Sequence, residues 1–176
     1  MGEVALDWFA ALRRDCVYIE ALSDAAAAPD DYPAALRAFL QHFGVQDIDG
    51  LLIGGDACLN PESAVAEALR RQNLRPFARE RYGLDYFSLT SEDRVVRWFH
   101  DGERTGRMLA PDFTRFLLHR CLLLCDRAEA FGEGEAAALL AESWAVFLRR
   151  QLGEAGADLT DPWWPLWPDA ASGAGG

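Results

Sequence analysis

The stretch that most constrains the fold is residues 111–132. Pro111-Asp112 opens it and Gly132 closes it, with Phe113, Phe116, Leu117, Cys121, Leu124, Cys125, Ala128 and Phe131 at helical spacing and Leu118, Leu122 and Leu123 filling most of the remaining surface. A helix apolar nearly all round has to be buried at the centre of its domain, so the other segments must be arranged about it. After Gly132-Glu133-Gly134, a further face of Ala136, Leu139, Leu140, Trp144, Phe147 and Leu148 runs to Gly153. Two helices and one short loop over 111–152 predict an antiparallel pair.

The preceding segments read as helices too. Ala5, Trp8, Phe9, Leu12, Cys16, Ile19 and Leu22 keep the i, i+3, i+4, i+7 spacing of one face, which predicts a helix over about 3–26. Pro33 suits the first turn of a second helix, with Leu36, Phe39, Leu40 and Phe43 on one face and Gly44 as its stop. Residues 44–60 are Gly-rich and aliphatic without helical period and read as an irregular loop. Asn60-Pro61-Glu62 predicts a third helix to about Leu74, broken at Pro76 and continued briefly to Gly83. Thr90-Ser91-Glu92-Asp93 has the Ser/Thr cap and first-turn acids of a helix start, followed by Val95, Val96 and Phe99. No segment alternates like a strand. The expected fold is therefore all-α, a single helical bundle of about six helices over 1–153, with a Trp/Pro-rich tail over 154–176.

Composition narrows the chemistry. Among 176 residues the 17 basic ones are all Arg, so there is no Schiff-base amine and no P-loop lysine. A formal charge of −11 repels a phosphate backbone, and the arginines are scattered or in pairs such as Arg70-Arg71, so nucleic acid is not expected as a partner. No stretch reaches the ~18 apolar residues of a membrane span, and the start of the chain lacks a basic then apolar leader. The expectation is a cytoplasmic protein with four reduced thiols, no cofactor and no membrane partner.

Four clusters are candidates for function. Cys121 and Cys125 share a helix face and could contribute to a metal site, although a zinc centre needs about four ligands and no CxxC accompanies them; two buried small apolar residues are the plainer reading. The polar set His100, Asp101, Glu103, Arg104 and Arg107 could hold an anion between its arginines, with His100 as acid or base; a solvated turn is the alternative. Asp47-Ile48-Asp49-Gly50 resembles the core of an EF-hand loop, but Val45 stands where the first ligand belongs. Trp163, Trp164 and Trp167, fenced by Pro162, Pro165 and Pro168, offer an adhesive indole patch that would bind a partner or fold back on the chain's own helices.

No motif identifies a family and no catalytic constellation emerges. The expected function is that of a non-catalytic, chaperone-like accessory protein, binding a partner protein through a helical groove or the Trp-Pro segment. Homodimerisation is allowed for. The competing expectation is a ligand-binding or enzymatic bundle using residues 98–107. Charge alone also admits an acidic protein that neutralises a toxin or mimics a nuclease's substrate.

Overall fold

The computed structural model describes residues 6–60, 62–98, 104–161 and 165–167, without the side chains of 56, 57 and 104–107. It overturns the all-α expectation: the chain is a mixed α/β protein built on a seven-stranded sheet, not a helical bundle. The strands lie in chain order, β1 (Ile19–Ala21), β2 (Gln46–Ile48), β3 (Leu51–Ile53), β4 (Arg75–Glu80), β5 (Tyr86–Leu89), β6 (Val95–Trp98) and β7 (Arg104–Ala110). From β2 to β7 each strand pairs antiparallel with the next. The helices are α1 (Asp7–Asp15), α2 (Ala34–Phe43), α3 (Asp56–Leu59), α4 (Ala64–Arg70), α5 (Phe113–Leu124) and α6 (Gly134–Glu154), with a 3₁₀ turn at Ala128–Phe131.

Two compact units divide the chain, one from Glu20–Phe113 and the other from Met1–Ile19 with Thr114–Gly176. The first contains most of the sheet. Its core centres on Phe113, whose ring meets Phe39 of α2 at 5.4 Å and Phe77 of β4 at 5.7 Å, both edge to face. Pro33 precedes α2 as expected, and Gly44 ends it at φ 70°, a backbone that favours glycine. On one sheet face, α4 lays Val65 and Leu69 with Leu74 against Val96, Tyr86 and Trp98. Ser63, not Asn60, caps α4, its hydroxyl accepting from the Ala66 amide at 3.0 Å.

Each missed strand has a local cause. The predicted helix over 3–26 stops at Asp15; Ile19 enters β1, and Leu22 lies just past it and is exposed. The supposed loop 44–60 contains β2 and β3, joined by Asp49-Gly50 with φ 48° and 82°, a two-residue hairpin turn in the left-handed region. The supposed continuation past Pro76 is β4, bulged between Pro76 and Ala78, which lets a proline stand in a strand. Thr90 does cap, but it caps a turn: its Oγ1 accepts the Glu92 and Arg94 amides, and Asp93 takes φ 63°.

In the second unit α5 ends at Leu124, with Ala128 and Phe131 in the separate 3₁₀ turn, and α6 starts where expected but turns a different face inward, sharing only Leu148 with the expected one. The buried stripe of α6 is Ala137, Ala141, Ala145, Leu148 and Leu152, so Leu139, expected inside, is exposed. The Val17 amide donates to the Ala130 carbonyl at 2.8 Å, the Trp144 indole to Asp15 at 2.9 Å, and the Arg127 guanidinium lies over the Tyr18 ring. No helix among the described residues is long and apolar enough to cross a membrane.

Candidate functional site

In an antiparallel meander the connections alternate between the two ends of the sheet. The β2–β3 turn and the β4–β5 hairpin share one end, where Trp98, the last residue of β6, pairs with both Tyr86 and Arg104. The β4–β5 tip is held unusually firmly. The Glu80 amide donates to the Asp85 carbonyl at 3.1 Å, closing the hairpin, and the Arg81 amide donates to the Gly50 carbonyl at 2.7 Å, tying it to the neighbouring turn.

Two buried carboxylates complete the frame. Asp47 accepts the Gly50 amide at 2.7 Å through Oδ1 and the Arg81 guanidinium at 2.6 Å through Oδ2, with Glu20 3.5 Å from the same guanidinium. Asp85 Oδ2 accepts from Nε and a terminal nitrogen of Arg97 at 3.0 and 2.6 Å, and that terminal nitrogen also reaches Glu80 at 2.8 Å. A buried carboxylate is tolerated only with such partners. Bonding to Asp47, the largest influence on it, raises the Arg81 pKa further above its already high value.

What this frame presents is apolar. Tyr82 is 89% exposed and Leu84 67% exposed, with the Arg81 guanidinium 5.5 Å from the Tyr82 ring centroid. Tyr82 and Leu84 are thus an aromatic and an aliphatic side chain held in water at the tip of a braced hairpin. The sequence reading missed it because the short helical continuation expected past Pro76 to Gly83 is a strand and its turn.

The sequence-based candidates fall as follows. Arg104 and Arg107 lie on β7, not in an interhelical loop, while His100, Asp101 and Glu103 lie outside the described residues. Trp167 is 4% exposed with the Arg115 guanidinium 5.9 Å from its ring, and Asp158 and Leu166 exchange two backbone hydrogen bonds beside it. This end of the tail is folded back on its own unit; Trp163 and Trp164 lie outside the described residues. Asp47 of the EF-hand-like run serves the hairpin instead of a cation.

Cys121 and Cys125 are buried together on α5, the Cys125 thiol reaching the Cys121 carbonyl at 3.6 Å. Burial first, then the neighbouring thiols, pushes Cys121 well above its ordinary value. Among the described residues no group of three or more His, Cys, Asp and Glu is placed to hold a metal ion.

Burial also pushes the Cys58 and Cys125 thiols from 9 up to about 12, and the Tyr32 phenol from 10 to about 12, with the Arg70 guanidinium beside it opposing. The folded chain keeps these protons while the unfolded chain loses them. Stability is therefore fully present below pH 9 and lost progressively as pH rises from 9 to about 12. Urea midpoints falling through that window, with thiols inert to a disulfide reagent at neutral pH until urea unfolds the chain, are the expected result. Rapid labelling of Cys58 in the native state would contradict it.

No family model, curated protein or solved structure matches this chain. The class it defines is thus structural: a small acidic α/β protein with an antiparallel meander sheet and a braced, apolar-tipped hairpin.

Proposed function

We propose that the chain is a non-catalytic, cytoplasmic accessory protein that binds another protein through the β4–β5 hairpin tip. The observation that carries this reading is the exposure of Tyr82 and Leu84 on a hairpin fixed by two Asp–Arg pairs whose carboxylates are buried. A loop that only connected two strands would have no need of such bracing, whereas a binding element gains affinity when it is ordered before the partner arrives. The net charge of −11 favours a partner whose contact face has an apolar socket bordered by basic groups. The hairpin takes the place of the helical groove in the sequence-based expectation, because the exposed apolar tip is the feature that the fold puts forward.

The test is native mass spectrometry of the untagged chain purified gently from its source, beside a Tyr82→Ala/Leu84→Ser variant. A stoichiometric polypeptide partner is expected with the first and lost with the second. Removing a central tyrosine anchor typically weakens an interface by about 2 kcal/mol or more, roughly thirtyfold. A partner retained at full affinity by the folded variant, or a bound small molecule in place of a polypeptide, would sink the reading.

A further inference from the structure

The longest helix carries a second surface. The 21 residues of α6 put Leu139 at 60% exposure and Val146 at 62%. Glu135, Leu139, Glu142, Val146 and Arg149 follow the alternating four- and three-residue steps of a helix-pairing seam, and Arg150 flanks it. All six are exposed. The buried stripe of Ala137, Ala141, Ala145, Leu148 and Leu152 occupies the other side.

We propose that this face of α6 is a self-association surface on which two copies of the chain pair antiparallel about a two-fold axis between Glu142 and Ser143. The choice of occupant comes from self-complementarity. About that point Leu139 meets Val146 of the second copy and the reverse, so each half of the seam supplies what the other lacks. Charge agrees: the acid is at the start of the seam and the bases at its end, so antiparallel pairing brings Glu135 to the second copy's Arg150. A parallel pair would instead set Glu135 against its own copy. Glu135 makes no ion pair among the described residues, and Arg150 makes only a long 3.9 Å contact to Glu154 beside its approach to the Phe147 ring. The one unfavourable contact is Glu142 with its copy near the axis.

A helix of this length spans about 30 Å, and a single helix pair falls below the ~1,200 Å² of standard interfaces. The dimer is therefore weak and concentration-dependent. It uses no hairpin residue, so it stands or falls independently of partner binding.

Sedimentation equilibrium of the full chain from micromolar to near-millimolar concentration tests it, with circular dichroism confirming that each variant is folded. The mass is expected to rise toward that of a dimer. Leu139→Asp with Val146→Asp is expected to raise the dissociation constant at least about tenfold. Glu135→Arg and Arg150→Glu are each expected to weaken the dimer and together to restore it, while Glu142→Gln tightens it. A wild-type chain monomeric throughout, a dimer indifferent to the Leu139/Val146 change, or a charge swap that fails to restore association would each overturn the proposal.

Discussion

Phe113→Ala is expected to remove about 3–5 kcal/mol of stability, the usual cost of deleting a fully buried phenylalanine. Phe113 touches Phe39 from α2 and Phe77 from β4, so its removal leaves a cavity between a helix and the sheet that neither neighbour fills without leaving its own packing. Against the ~5–15 kcal/mol that holds a typical domain folded, such a loss leaves a marginal protein. Urea titration should show a much lower midpoint with an unchanged slope. Phe113→Leu, which keeps most of the volume, is expected to recover the larger part. A Phe113→Ala midpoint near wild type would mean that the Phe39–Phe113–Phe77 contact is not the centre of this unit.

Gly44→Ala is the second large effect, for a different reason. At φ 70° an added Cβ would lie 2.2 Å from the Ser23 carbonyl oxygen and 2.7 Å from its hydroxyl. The main chain of 22–23 would have to withdraw, and with it would go the Leu22 amide bond to Val45 and the Val45 amide bond to Ser23 Oγ. Backbone strain of about 1–3 kcal/mol and two hydrogen bonds at about 1 kcal/mol each give an expected loss of about 3–5 kcal/mol. Gly50→Ala is the control: its φ is also positive, yet nothing lies within 4 Å of the added Cβ, so only the strain remains. Equal denaturation midpoints for the two variants would contradict the crowding at Gly44.

The contrast between these residues explains what could be read from sequence. Helices α2, α5 and α6 announce themselves because each opens at or near a proline or glycine and is ten residues or longer, with recurring apolar positions. The strands do not. β2 and β3 are three residues each and buried at every position, so they have no inside-outside alternation to detect. β4 begins with Arg-Pro and contains Ala, Arg and Glu, a composition closer to a helix than a strand. Thr90-Ser91-Glu92-Asp93 was ambiguous in principle, because a hydroxyl that accepts amides two and four residues on serves a turn as well as a helix start. One signal was available and outweighed: Asp49-Gly50 between Ile48 and Leu51 is a strong short-range sign of a hairpin.

The candidate site was hidden for the same reason. Tyr82 and Leu84 become conspicuous only when Arg75–Glu80 is a strand and the next residues are its turn. In a helix they would be two unremarkable apolar positions. The aromatic tail drew attention from the sequence because indoles are rare, yet Trp167 is buried on its own unit.

The division of the chain bears on the order in which it is made. Residues 20–113 are continuous and their strands pair with immediate successors, so this unit needs no later part of the chain and can be assembled as the polypeptide leaves the ribosome. Helix α1 is synthesised before this unit, but its own unit is completed only when residues 114 onward arrive. For most of translation the buried faces of Trp8, Phe9 and Leu12 wait for partners not yet made. A nascent chain arrested near residue 113 thus exposes the apolar face of α1, and holding it out of aggregates is a task for the cell rather than for the fold.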